Sequence, residues 1–565
     1  MKKSLLLSLF LIFGISVPLI LAQSNAVITG RVSDGILPIA GARVIIQADT
    51  AWVTTDSQGR FRLPVDRYRS NPVPVMVGKK GWFNGSWRLE KGRRNAELIL
   101  APVPQGDNPH YRWIDPAPSS GGMMGTMMGG GSQTCGSCHE NYYDWWKESS
   151  MAKTTRNQRV LDQYKDAGAA RKICADCHAP AAAVQAPGQT DLLKVAQQGG
   201  VETEGVFCDF CHKIKDVKVS FKPGVQTLKF SRIERPSRRL GMMSTRPVMA
   251  YGSLADVVTP PMAAGFNPAL SKSEFCSSCH LNGRELPGKK TWDYKAVYPD
   301  ASPEEFQNGR IVPNQWTYRE WKNWQESLAA NDPNKGQQCQ DCHMNWTQDM
   351  LPYDKYIVRS AGGGMMNIMI RRLRVRRDPS TIHPHKFEGA TVKRLQNTAF
   401  LLLRPSLQGN RLSVMVSVTN TNAGHRLPTG VTFRNMLLLV QATDSTGKIL
   451  SQTGGPKIPE WAGKGSPGKG NYAGLPGVGY ARITADDHGN INVPFWEATK
   501  IVQDNRLVPR KQDVQNFVFN AAKTRNYITV KATLIYRKSF KKMADKYGWD
   551  TGDVVMEKTS KVVYK

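Results

Sequence analysis

No cysteine in this 565-residue chain stands by itself, because all ten fall in C-x-x-C-H segments. None is left to bridge distant parts of the fold, and cysteines three apart rarely bridge well, which argues against a disulfide framework. None lies near the end of the N-terminal apolar run, so a lipoprotein-type anchor is excluded. Beyond residue 22 no stretch is apolar for long enough to cross a membrane. The chain also lacks a Ser-His-Asp arrangement, a phosphate loop and a carboxylate pair, so no hydrolytic or phosphoryl chemistry competes for it. Acid is scarce: 46 Asp and Glu against 76 Lys and Arg give a formal net charge of +30. A field of that sign speeds encounter with acidic partners or anions and says nothing about the fold. Fifty glycines and 34 prolines indicate many loops, below the level expected of disorder.

What is present is one repeated motif. It reads Cys135-Gly-Ser-Cys138-His139, Cys174-Ala-Asp-Cys177-His178, Cys208-Asp-Phe-Cys211-His212, Cys276-Ser-Ser-Cys279-His280 and Cys339-Gln-Asp-Cys342-His343. On a helical turn, residues i and i+3 project to one side, so two such thiols can form thioethers to one porphyrin edge while the next histidine meets the iron. Paired cysteines with a histidine also make zinc sites. Tetrahedral zinc normally takes two pairs, however, and five pairs, each with its own histidine, fit it poorly. The expectation is five covalently bound c-type haems with His139, His178, His212, His280 and His343 as proximal ligands. Their attachment sites share roughly 250 residues, too little chain for a separate shell around each, so porphyrins must supply much of the core.

The chain order predicts a multidomain α+β protein. Residues 1–26 read as an export signal: Lys2 and Lys3 precede an apolar run, and cleavage suits either Ala22 or Ser24-Asn25-Ala26. The apolar run is just long enough for an uncleaved anchor as the minority reading. Export places the protein in the periplasm or outside the cell, with no stable membrane span after signal removal, and makes nucleic acid an unsuitable partner for the positive charge. Residues 27–103 alternate as strands do, with Asp56 and Gly59 turning between two of them. Their G-x-V-x-D, P-x-x-G-A-x-V and T-x-D-x-x-G-x-F patterns resemble the carboxypeptidase-regulatory-like β-sandwich. That resemblance implies a scaffolding or docking module without chemistry of its own.

Residues 104–133 form a linker rich in proline, glycine and methionine, whose thioethers either pack loosely or bind a soft metal. The haem domain spans 134–387, with helices expected over 141–152, 156–170 and 303–330. Residues 388–565 return to β character and predict a second β-sandwich that lends ligands to the haem core.

Five histidines lie outside the motifs: His110, His383, His385, His425 and His488. His425 sits in a Gly-His-Arg-Leu-Pro-Thr-Gly turn able to hold an imidazole at an iron. His383 and His385 flank Pro384 in an extended segment, so their side chains share a face, and one or both are distal candidates. His110 and His488 read as surface residues. Met151 is a further distal candidate against a gap-filling reading; on a helix continuing from His139 it would reach only a neighbouring haem. Five arginines in residues 369–377 suit a docking patch or haem propionates, against a plain solvated face.

The segment Trp146-Lys-Glu-Ser-Ser-Met151-Ala152 matches a W-x-x-S-x-H-A helix, with methionine where the distal histidine is usual. With Gly205-Val206-Phe207-Cys208, Cys339-Gln340-Asp341-Cys342-His343-Met344 and the Gly424–Gly430 turn, it makes the chain similar to secreted multihaem c-type cytochromes of respiratory chains, over roughly residues 134–540. The resemblance implies an electron carrier with acidic redox partners. It leaves open a reductase or oxidase of a small nitrogen or sulfur compound at a five-coordinate haem. The C-x-x-C-K site usual in pentahaem nitrite reductases is missing. A third reading makes the chain a homo-oligomer or the subunit of a cytochrome filament.

Overall fold

The computed structural model describes residues 26–104, 106–117, 135–137, 139–218, 230–233, 235, 248–258, 262–346 and 377–565. The methionine-rich stretch, Cys138 and the arginine run up to Arg376 fall outside them. Among the described residues no helix is long and apolar enough to cross a membrane.

The N-terminal unit contains β1 (Val27–Ser33), β2 (Arg43–Ile46), β3 (Trp52–Thr54), β4 (Arg60–Pro64), β5 (Val73–Gly78), β6 (Gly85–Leu89) and β7 (Ala96–Ile99). They form two sheets, ordered β4-β1-β7 and β3-β2-β5-β6, around one core that includes Ile28, Val32, Val44, Phe61, Leu63, Val75 and Leu98. β4 alternates exposed and buried residues as a strand over a core should. The turn before it is built by Asp56, whose carboxylate accepts from the Gln58 and Arg60 amides. Gly59 has φ +74°, and a Cβ there would lie 2.4 Å from the Val32 carbonyl oxygen, so only glycine fits.

This unit is joined to the next by buried polar contacts as well as by the chain. Asn84 donates to the Leu254 and Val257 carbonyls and accepts from the Phe266 amide, and the Ala48 amide donates to Asp256. Asp256 also receives Arg377 at 2.8 Å, which makes this arginine a structural ion-pair partner of a protein carboxylate.

The middle region is helical and loop-rich. Its helices include α1 (Glu140–Glu148), α2 (Cys174–His178), α3 (Cys208–Cys211), α4 (Ser273–His280), α5 (Thr317–Ser327) and α6 (Cys339–His343). Short strand pairs lie between them: β8 (Ile214–Lys218) with β9 (Phe230–Ile233), β10 (Val248–Gly252) with β11 (Met262–Phe266), and β12 (Asn282–Glu285) with β13 (Ile311–Gln315). All three expected helices are shorter than the sequence suggests, and that expected over 156–170 covers only Gln158–Asp166 before a 3₁₀ turn from Gly168. The first ends at Glu148, because the Ser149 hydroxyl donates to the Trp146 carbonyl and Ser149 leaves helical geometry with ψ 162°. The stretch 303–330 divides: Gln307, Asn308 and Gly309 all take positive φ, the β-branched Ile311 and Val312 enter β13, and helix resumes only at Thr317.

The C-terminal unit contains β14 (Ala399–Gln408), β15 (Arg411–Asn420), β16 (Asn435–Asp444), β17 (Gln452–Gly454), β18 (Gly477–Ala485), β19 (Lys500–Asp504), β20 (Gln512–Asn520), β21 (Tyr527–Arg537) and β22 (Val554–Tyr564). One sheet is ordered β14-β15-β20-β17 and the other β19-β18-β16-β21-β22. Their inner faces share Leu412, Val414, Val416, Leu438, Val440, Phe517, Val530 and Leu534 as core. The chain is therefore β-rich at both ends with a helical middle.

Candidate functional site

The described residues of the C-x-x-C-H segments fold into tight helical turns. Four of them lie on α2, α3, α4 and α6, and the first opens on a 3₁₀ turn over Cys135–Ser137. Nine motif cysteines fall among the described residues, and all nine line a single cavity of 1670 Å³. His139, His178, His212, His280, His343, His383, His385, His425 and Met151 line the same cavity. An ordinary ligand pocket holds about 300–1,000 Å³, so this space has room for several groups side by side.

Two pairs of imidazoles oppose each other across it. The rings of His212 and His385 have centroids 6.3 Å apart and planes 8° from parallel, and those of His343 and His425 are 6.2 Å apart at 12°. Two metal–imidazole bonds of about 2.0 Å, with about 1 Å more from each nitrogen to its ring centre, span roughly 6 Å. The gap in each pair is thus wide enough for one metal ion held by both rings.

The chain also fixes the tautomer. Nδ1 of His212 meets the Tyr251 carbonyl at 2.6 Å, Nδ1 of His343 the Glu388 carbonyl at 2.6 Å, Nδ1 of His385 the His383 carbonyl at 2.8 Å, and Nδ1 of His425 the Arg426 carbonyl at 3.0 Å. A carbonyl can only accept, so Nδ1 carries the proton and Nε2 keeps its lone pair for a metal. Burial holds these rings neutral. His343 is pushed down to about 4 by burial first and then by His425. His385 is pushed down to about 3 by burial and then by His212. For His280, the Gln315 amide nitrogen lies 2.7 Å from Nδ1 while the amide oxygen is buried without a partner among the described residues. A half-turn of the amide would bring that oxygen to Nδ1–H and free Nε2 in the same way. His178 differs, since its Nδ1 is buried with no hydrogen bond of ordinary geometry. Burial lowers this ring to about 4 against the opposing influence of the Thr154 backbone.

Thiols of different motifs are neighbours: Cys208 pushes the Cys135 thiol well up, and Cys339, with burial, does the same to Cys276, which also feels Cys211. The fourth and fifth motifs are laced together further: the Cys339 amide donates to the Ser273 hydroxyl, and the Gln340 side chain donates to the Leu270 and Lys272 carbonyls. Burial pushes Cys174 and Cys211 up to about 12, so these sulfurs are neutral thiols. Among the described residues no three of His, Cys, Asp or Glu converge as a tetrahedral metal site requires. Neutral thiols in pairs, neutral imidazoles with free Nε2 and cavity width between facing rings fit haem.

Of the two histidines beside Pro384, His385 is the one that faces a motif histidine, and His383 lends it a carbonyl. His110 and His488 are exposed. Met151 lies beyond the end of α1, where its side chain packs against the apolar cluster that includes Trp146 and Phe207, and its carbonyl accepts from the Val206 amide. Sequence reasoning missed Gln315, hidden in the stretch read as helix, and the buried acid Glu320. The only signal for either was its closeness in sequence to the aromatic-rich run 316–324.

Residues 134–213 match the family described as cytochrome c554 and c-prime. No curated protein matches the chain. Among solved structures, a penta-heme cytochrome c552 from Thermochromatium tepidum is similar to it, with 21% identity over 76% of this chain and 97% of that one and a TM-score of 0.50. A cohesin–X-dockerin complex from Acetivibrio cellulolyticus matches 24% of this chain and 83% of that one at 14% identity, with a TM-score of 0.13, too low to carry an argument. The matched block at 134–213, the shared fold and the thiol and imidazole chemistry of the cavity agree, and all three make the chain similar to multihaem c-type cytochromes.

Proposed function

We propose that this chain is an exported pentahaem cytochrome that carries electrons along closely packed haems between respiratory redox partners. The two facing imidazole pairs, His212 with His385 and His343 with His425, support this reading best. Each pair could hold a haem iron between its two rings, and a haem so held would supply electron exchange and not substrate binding. Haem would be held by thioethers from the paired cysteines and would supply the one-electron iron couple. The polypeptide attaches it, fixes the imidazole tautomers and keeps water away. The cysteine contacts support a row in which the first motif abuts the third, the third approaches the fourth, and the fourth abuts the fifth. A surface this basic suits an acidic protein partner. The N-terminal β unit, welded to β11 through Asn84, suits a docking scaffold.

Mass spectrometry of protein matured in an exporting host tests the count: five haem masses are expected on the chain. EPR of the oxidised protein tests the role. Low-spin ferric signals alone would support the carrier, and a high-spin signal of full intensity would favour the reductase reading, with His178 the first histidine to examine.

A further inference from the structure

The turn that carries His425 is held at every peptide carbonyl from His425 to Gly430. The donors are Asn420 at 2.9 Å, the His425 ring at 3.0 Å, the Leu507 amide at 2.8 Å, Arg506 at 3.2 Å, Arg434 at 3.3 Å and Arg482 at 3.2 Å. Two of these donors are fully buried guanidiniums, with Arg482 2% and Arg506 5% exposed. Arg482 also donates to the carbonyl of Asn314, next to Gln315, whose amide meets the His280 ring. One cationic pair therefore braces both the loop behind His425 and the strand behind His280.

Buried cations need buried anions. Glu320 on α5 lies 2.7 Å from Arg506 and 3.9 Å from Arg482, and it accepts from the Thr429 hydroxyl at 2.7 Å. Asp504 takes the other side of Arg506 at 2.6 Å. These four groups hold two positive and two negative charges, out of water, and half-buried Arg426 acts on Asp504 from beside them.

Resting on the carrier reading above, we propose that Glu320 is a positioning residue that sets the potential of the His425 and His280 haems. It tethers the His425 turn through Thr429 and balances the two arginines. Without its charge the cluster is left net positive beside both centres, which disfavours ferric iron there.

The test uses the haem-loaded protein, with haem count by mass, low-spin signals by EPR and midpoint potentials by spectroelectrochemistry. Glu320→Gln keeps an acceptor for Thr429 and removes the charge. Two of the midpoint potentials are expected to rise by a tenfold change in the ferric–ferrous equilibrium, about 59 mV for one electron, with haem count and low-spin signals retained. Thr429→Val keeps the charge and cuts the tether, so it should alter the g-values of one low-spin signal and leave the potentials in place. Unchanged potentials in a loaded Glu320→Gln protein, or an equal shift at every haem, would overturn the proposal. If Glu320→Gln does not accumulate, Arg506→Gln removes a positive charge and must lower the same two potentials; no fall also overturns it. Missing haems or high-spin iron in the unmodified protein would count against the carrier reading and leave this test distinguishable from it.

Discussion

His343 and His425 stand 82 residues apart in sequence and face each other with ring centroids 6.2 Å apart, planes 12° from parallel. One belongs to the fifth motif and the other to a turn of the C-terminal β unit. His425→Gly should therefore convert one low-spin haem to high spin with the haem count unchanged. Free imidazole should restore the low-spin signal by filling the space left by the ring. The same substitution at exposed His110 should change neither signal.

The extended segment around Pro384 offers a sharper discrimination. His385 faces His212, and His383 contributes a carbonyl to it. His385→Ala should turn one haem high-spin, whereas His383→Ala retains that carbonyl and should leave the EPR spectrum intact. Equal loss in both variants would mean that His383 binds iron as well.

Met151 packs against the apolar cluster that includes Trp146 and Phe207. Met151→Leu conserves volume and should cost below about 1.5 kcal/mol. Denaturant unfolding of the loaded protein measures the cost, and the optical spectrum should keep every band. Disappearance of a methionine–iron band would assign Met151 as a ligand instead.

The buried acid beside Arg506 gives a pH signature. Burial opposes the charge on Asp504, but Arg506 by charge and hydrogen bond, with Arg426 and Arg482, outweighs it and holds the carboxyl well below its ordinary value of 3.8. A carboxyl lowered on folding adds stability above its unfolded pKa, about 4, and loses it as pH falls from there. Asp504→Asn leaves a buried cation short of a partner and should cost about 3–5 kcal/mol at pH 7. The gap between variant and parent should narrow below about pH 4, as read from denaturant midpoints at pH 7 and pH 3.

The local parts of this site were legible in the sequence, and the pairings were not. Each C-x-x-C-H turn needs only its own five residues, and the Gly-His-Arg-Leu-Pro-Thr-Gly turn marks His425 because Pro428 fixes its own φ while Gly430 takes the φ of +97° that the turn requires. Cys135 and Cys208 meet across 73 residues, and Cys276 and Cys339 across 63. No spacing encodes such contacts, because they depend on how helical turns pack around the cavity. The propionate reading of the arginine run could be examined only at Arg377, which takes Asp256 instead. Charge alone could not tell a protein carboxylate from one on a cofactor. The helix through Met151 was drawn too long because Ser149 reads as an ordinary polar residue until its hydroxyl is seen on the Trp146 carbonyl.

Gly424 tests whether the His425 turn acts through its shape. An added Cβ there would lie 2.3 Å from the Trp324 ring, closer than such atoms approach. Trp324 sits on α5, the helix that also carries Glu320, so either its ring turns aside or the turn backs away, and backing away withdraws His425 from His343. Gly424→Ala should then lose the same low-spin signal as His425→Gly, although no ligand has been removed. Added imidazole should restore it less completely, because the displaced native ring still occupies part of the gap. Retention of the full low-spin spectrum in Gly424→Ala would show that the turn tolerates displacement, and that the six carbonyl contacts behind it do not govern the placement of the ring.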